Sequence, residues 1–156
     1  MQKKIIMTSG DPPETVTILL VEDDEVDAMA VERGFAKQHI GNPIVKAVDG
    51  LEALDILRGE NGRERLPRPY LILLDLNMPR MNGTEFLQVI RRDEELRRSL
   101  VFVLTTSDDE RDKLHAYDNS VAGYILKSEM GRDFIKLIQM LEKVVLTIQF
   151  PPDAEA

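Results

Sequence analysis

The chain predicts a doubly wound α/β fold: three layers, with a five-stranded parallel sheet in the middle. Three observations carry that expectation. Short apolar runs of strand length recur along the chain, at Val16–Val21, Ile44–Val48, Tyr70–Leu74, Leu100–Leu104 and Val121–Leu126. Stretches with helical apolar spacing separate them, and strict alternation of strand and helix implies parallel strands. Four of the runs also stop at a residue that can handle phosphate or a metal ion. They end at Glu22-Asp23-Asp24, at Asp75, at Thr105-Thr106 and at Lys127. Parallel strands would bring these ends to one edge of the sheet, the edge where open α/β sheets bind ligands.

The elements follow in order. Residues 1–15 read as a loose arm, because Gly10 and Pro12-Pro13 oppose regular structure there. After the first strand, Asp24 is a helix-capping residue with Asp27 three positions on, and a helix is expected to about Ile40. Gly41-Asn42-Pro43 breaks it. Past the second strand, Asp49-Gly50 opens a helix with Leu51, Leu54 and Leu57 at helical spacing. Arg58 to Pro69 is a polar loop, long for such a connection, and reads as a solvated insertion. The third strand leads through Asn77–Gly83 into a helix with Phe86, Leu87 and Ile90 on one face. After the fourth strand, Asp108-Asp109 can cap a mostly charged helix, which Leu114 and Tyr117 are expected to anchor weakly. The last helix is expected from about Gly131 to Leu146, giving a single domain over 16–146 and a carboxyl-terminal arm over 147–156.

Composition narrows the function classes. A chain of 156 residues with 43% apolar and 31% charged residues fits one soluble domain with an adequate core. No apolar run is long enough to cross a bilayer, and the apolar start is too short for a signal peptide. With no cysteine there are no disulfides or thiolate metal sites, which is compatible with a reducing cytoplasm. A net charge of −8 disfavours nucleic acid and anionic membranes as partners.

The strand-end residues suggest a chemistry. Glu22, Asp23 and Asp75 would converge, and three close carboxylates stay ionised only if a cation joins them. An oxygen-only donor set favours Mg²⁺. Asp75 could accept a phosphoryl group as an acyl phosphate, with the metal clamping the phosphoryl oxygens. Lys127 would supply positive charge and Thr105 a hydroxyl donor. His39 and His115 lie away from this cluster and read as surface residues. There is no Gly-x-x-x-x-Gly-Lys loop and no Gly-x-Gly-x-x-Gly fingerprint, so nucleotide binding is not expected.

At this point the chain resembles the response-regulator receiver domain of two-component signalling, a flavodoxin-like fold. The matching motifs are Leu20-Val21-Glu22-Asp23, Leu74-Asp75-Leu76-Asn77-Met78-Pro79, Leu104-Thr105-Thr106 and Gly123-Tyr124-Ile125-Leu126-Lys127. The resemblance implies that Asp75 accepts phosphate from a histidine kinase. It implies that Asp23, Asp75 and the Asn77 backbone carbonyl hold Mg²⁺, with Glu22 acting through water. It also implies that Thr105 tracks the phosphoryl group, that Tyr124 is its aromatic switch partner, and that Lys127 pairs with the phosphoryl. The Arg58–Pro69 insertion, the Thr105-Thr106-Ser107 run and Lys127-Ser128 look like the single-domain regulators that serve bacterial phytochromes. Receivers usually carry proline where Ser128 stands, so a cis peptide there is not assured.

The expected function is therefore a phosphorylation-dependent signalling module that transfers and hydrolyses its own phosphoryl group and acts through partners. A small-molecule phosphohydrolase is the alternative, but that class commonly needs a second acid where Asn77 stands. A flavodoxin-like cofactor binder or scaffold is opposed by the acid cluster. Ile135, Met140, Leu146 and the Thr147–Phe150 segment add apolar positions beyond one domain's needs; the tail either folds back over its own domain or, as expected here, joins the last helix in a homodimer contact.

Overall fold

The computed structural model describes residues 6–7, 14–37 and 39–127. Its elements in order are β1 (Ile6–Met7), β2 (Glu14–Thr15), β3 (Thr17–Val21), α1 (Glu25–Lys37), β4 (Ile44–Ala47) and α2 (Gly50–Arg58). There follow β5 (Tyr70–Leu74), α3 (Gly83–Arg92), β6 (Leu100–Thr105), α4 (Glu110–Asp118) and β7 (Gly123–Leu126). The expected last helix and carboxyl-terminal arm lie outside the described residues, as does the Lys127–Ser128 peptide.

β3 to β7 form a five-stranded sheet in the order β4-β3-β5-β6-β7, with every neighbouring pair parallel. The chain leaves β3 for β4 on one side and returns to β5 on the other, so the order reverses between β3 and β5. In a doubly wound sheet that switch point opens a crevice at the carboxyl ends of the strands.

The inner strands β3, β5 and β6 are almost wholly apolar because both faces are covered. Alternate residues supply two separate cores. Leu19, Val21, Ile72, Leu74, Val101 and Val103 face a core shared with Ala53, Leu54, Ile56 and Leu57 of α2 and Phe86, Leu87 and Ile90 of α3. Ile18, Leu20, Leu71, Leu73, Phe102 and Leu104 face the other, shared with Ala28, Val31 and Phe35 of α1. Burying each of these large side chains contributes about 1.5–3 kcal/mol, which fixes the strand register and hence the positions of the strand ends.

Several expectations need correction. Residues 1–15 contain a two-residue antiparallel ladder between β1 and β2, since backbone pairing needs no particular side chain. α1 stops at Lys37 rather than near Ile40, and His39 sits in the left-handed region at φ 58°. Leu51 is exposed while Ala53 and Ile56 join Leu54 and Leu57 in the core. Leu114 and Tyr117 do not anchor α4: both are exposed, and Ala116 is its buried residue. His115 is half-buried, with Nε2 shielded and unpartnered among the described residues.

The insertion after α2 is not simply solvated. Gly59 closes α2 with a left-handed cap, and Leu66 is buried with its N–H on the Ile56 carbonyl at 2.9 Å. Arg58 pairs with Asp93 at 3.0 Å and Arg65 with Glu95 at 3.7 Å. The loop is thus fastened to the segment after α3, at the end of the sheet away from the strand-end acids.

Candidate functional site

Ladder hydrogen bonds continue one residue past the strands and draw the acids into the sheet edge. The Glu22 N–H donates to the Ala47 carbonyl at 2.9 Å, and the Asp75 N–H donates to the Val21 carbonyl at 3.0 Å. Glu22 and Asp75 are therefore buried, at 6% and 4% exposure, while Asp23 is exposed. Glu22, Asp23 and Asp75 each offer an oxygen, and these oxygens lie within 4.8 Å of one another.

Burial pushes the Glu22 carboxyl up to about 8, against a pull downward from the Lys127 hydrogen bond and a further push upward from Asp75. A site that burdens one of its own carboxylates in this way is built to receive positive charge. A hard divalent cation, which takes oxygen donors, fits the set; zinc or copper, which favour nitrogen or sulfur, does not.

Lys127 follows β7 and reaches back across the sheet edge. Its Nζ lies 2.7 Å from Glu22 Oε1, 2.8 Å from Asp27 Oδ2 and 3.4 Å from Asp75 Oδ2. Burial alone would lower the ammonium, but hydrogen bonds to Asp27 and Glu22 and the charge of Asp75 outweigh it and hold the group above the ordinary lysine value.

The loop after Asp75 is fixed from both sides. The Asn77 N–H donates to Asp75 Oδ1 at 3.3 Å. Asn82 caps α3 in a reciprocal capping box with Glu85. Gly83 presses so close that a Cβ there would lie 2.4 Å from the Asp75 carbonyl oxygen and 2.7 Å from Leu76 Cα. On the other side, Asp49 is buried at the N-cap of α2, accepting from the Glu52 N–H at 2.9 Å and from Arg80 Nε at 2.5 Å. The Gly50 N–H donates to the Met81 carbonyl at 3.0 Å.

Thr105 ends β6 and is fully buried. Leu74 pairs with Val103, so Thr105 lies one residue beyond the level of Asp75 on the neighbouring strand. Its Oγ1 accepts from the Ser107 N–H at 3.3 Å. The half-buried Tyr124 donates its hydroxyl proton to the Ser107 carbonyl at 2.8 Å. Ser107 thus joins the threonine to the aromatic ring through its own backbone.

The profile of the response regulator receiver domain matches residues 18–139. This chain belongs to the response-regulator receiver family. It is 38% identical over 143 residues to response regulator Rcp1 of Synechocystis sp. (strain ATCC 27184 / PCC 6803 / Kazusa), covering 91% of this chain and 96% of that protein. Its fold is similar to the crystal structure of the phosphorylated cyanobacterial phytochrome response regulator RcpA, with TM-score 0.76 and 36% identity over 88% of this chain and 99% of that one. It is also similar to the Mn²⁺-bound form of Rcp1, with TM-score 0.71 and 35% identity over the same shares. The protein is accordingly a response regulator, a phosphorylation-dependent signalling protein with the receiver's flavodoxin-like fold.

In this receiver the folded chain brings together Glu22, Asp23, Asp75 and Lys127, the acids and the cation expected at the strand ends. Thr105 and Tyr124 meet at Ser107 rather than touching the acids through any described hydrogen bond. Asp27 went unrecognised in the sequence. There it reads as a first-turn helix acid, and the Asp24 side chain does accept from its N–H at 3.1 Å. Its contact with Lys127 spans 100 residues of sequence, a separation no local pattern reveals.

Proposed function

We propose that Asp75 is the phosphoacceptor of this receiver, taking the phosphoryl group from a sensor histidine kinase. The observation that carries the reading is the meeting of a buried carboxylate with two more acids and a lysine at one sheet edge. In the transfer, an Asp75 carboxylate oxygen bonds to phosphorus while the bond between phosphorus and the donor breaks, its electron pair leaving with the donor. Asp23, Asp75 and the Asn77 carbonyl would hold Mg²⁺, and Glu22 would hold it through water. That ion supplies neutralising charge for the phosphoryl oxygens. Lys127 donates to a phosphoryl oxygen and keeps its proton. Thr105 turns its hydroxyl toward the phosphoryl, and the Ser107 backbone passes that movement to Tyr124.

The same Asp75 site serves both self-catalysed phosphotransfer and autodephosphorylation, the latter by water attack on the acyl phosphate. The kinase is of the bacteriophytochrome type, a reading supported by the phytochrome-linked relatives. The protein works in the cytoplasm and pairs as a homodimer through its last helix and carboxyl-terminal arm. No helix among the described residues is long and apolar enough to cross a membrane.

Incubation with Mg²⁺ and acetyl phosphate tests the central claim. Wild type should gain one hydroxylamine-labile phosphate by intact mass, and Asp75→Asn should gain none while keeping its fold by circular dichroism. Full labelling of that variant at another residue would move the phosphoacceptor elsewhere.

A further inference from the structure

We infer that Asp27 is a positioning residue that, together with Glu22, aims the Lys127 ammonium at the phosphoryl position. The inference rests on Asp75 being the phosphoacceptor and deepens that reading.

An ammonium has three donors and no acceptor. One Lys127 donor is taken by Glu22 Oε1 at 2.7 Å and a second by Asp27 Oδ2 at 2.8 Å. Nζ also lies 3.4 Å from Asp75 Oδ2, an ion pair without a hydrogen bond. The lysine is thus anchored at two points, with its ammonium beside the reacting carboxylate and a third donor that has no hydrogen-bond partner among the described residues. A phosphoryl oxygen carried on Asp75 projects outward from that carboxylate and can close the gap without either anchor letting go.

The anchors differ in kind. Glu22 is buried beside the metal ligands, whereas Asp27 is about one-third exposed and stands outside the trio of converging carboxylates. A lysine side chain has four rotatable bonds and, with one anchor, would swing. Two anchors on different elements, the end of β3 and the first turn of α1, fix it. Asp27 lies in α1's acidic first turn, where a carboxylate favours the helix dipole whatever else it does. That purely local role predicts no dependence on Lys127, and the two roles are separable on that ground.

In transfer from acetyl phosphate, an Asp75 oxygen bonds phosphorus, the bond from phosphorus to the acetyl oxygen breaks with its electron pair, and acetate leaves. Lys127 donates a hydrogen bond throughout and gives up no proton. Loosening it should slow the step by about tenfold, the scale of one charge-assisted hydrogen bond.

The test compares full-length wild type, Asp27→Ala and Asp27→Glu, each also in a Lys127→Met background. Labelling rates are measured with acetyl phosphate at saturating Mg²⁺. In metal-free protein, acylation of Lys127 by an N-hydroxysuccinimide ester is followed by peptide mass. Asp27→Ala should label about tenfold more slowly and expose Lys127 to faster acylation, and Asp27→Glu should recover both. In the Lys127→Met background Asp27→Ala should add nothing to the labelling defect. Wild-type labelling in Asp27→Ala, or an equal loss with and without Lys127, overturns the inference. If wild type itself takes no phosphate on Asp75, the phosphoacceptor reading fails. The metal-free acylation rates then still decide the matter, and equal rates in wild type and Asp27→Ala overturn the anchoring role.

Discussion

Asp23 and Thr105 divide the work of the site by their exposure. Asp23 is exposed, so its carboxylate is free to meet a cation arriving from solvent, whereas Glu22 behind it is buried. Asp23→Asn should weaken Mg²⁺ binding strongly and slow labelling. It also removes one of three carboxylates whose oxygens lie within 4.8 Å, so the metal-free variant should unfold at higher urea than metal-free wild type. Calorimetric titration with Mg²⁺ and urea melts in chelator check both signs. Equal Mg²⁺ affinities in variant and wild type would remove Asp23 from the ligand set. Thr105 is fully buried and tied to the Ser107 N–H, and Ser107 in turn accepts from Tyr124. Thr105→Ala should therefore still be phosphorylated while the spectral shifts that phosphorylation produces in α4 and around Tyr124 shrink. Wild-type shifts in that variant would put the switch on another path. Glu22-Asp23, Asp75 and Lys127 were legible in the sequence because each of the three stands where an apolar run stops. Ser107 and Asp27 were not, since one acts through its backbone and the other through a partner 100 residues away.

Elements differ in how plainly the sequence announces them, and the difference follows from burial. β5 spans Tyr70–Leu74, the same bounds as its apolar run, because a strand covered on both faces has no polar position to blur its limits. α4 is the opposite case. Its nine residues are mostly charged, and helical spacing says which residues share a face without saying which face turns inward. Asp109 caps it from the Arg111 N–H at 2.7 Å, and Ser107 bonds Asp112, so the helix is seated from its N-terminal turn with small Ala116 inward and Leu114 and Tyr117 outward. α3 carries the sharper geometric demand. At its first residue, Gly83, a Cβ would meet the Asp75 carbonyl oxygen at 2.4 Å and backbone Leu76 Cα at 2.7 Å. Neither neighbour is a flexible side-chain end, so Gly83→Ala must push the helix start away from the strand end that bears Asp75. The expected loss is about 1–3 kcal/mol in urea unfolding, the scale of overpacking, with slower phosphorylation because the Asn77–Gly83 loop shifts with it. An unchanged midpoint and labelling rate would mean that α3 and β5 part more easily than their spacing implies.

At the scale of the whole molecule, the sheet is covered by α2 and α3 on one face and by α1 on the other, and the family match extends to residue 139. From about residue 131 onward the sequence carries more apolar residues than one helix face holds. In the sequence, Phe134, Leu137, Ile138, Leu141 and Val144-Val145 recur at helical spacing, and Ile135, Met140 and Leu146 add apolar positions between them. Thr147-Ile148-Gln149-Phe150 then continues as a strand-like apolar stretch before Pro151-Pro152. The proposed homodimer would engage these residues, because a two-fold axis pairs one patch with itself and needs no other partner. The net charge of −8 opposes association at low salt, so an apolar contact must outweigh it and should hold better as salt screens the repulsion. Deleting residues 147–156 should shift the protein toward monomer in sedimentation velocity while Asp75 labelling stays at the wild-type rate, since the acids and Lys127 all lie within residues 22–127. The full-length chain should in turn show a sedimentation coefficient that rises with concentration. A single concentration-independent coefficient, the same per unit mass for both chains, would mean that the arm folds back onto its own domain.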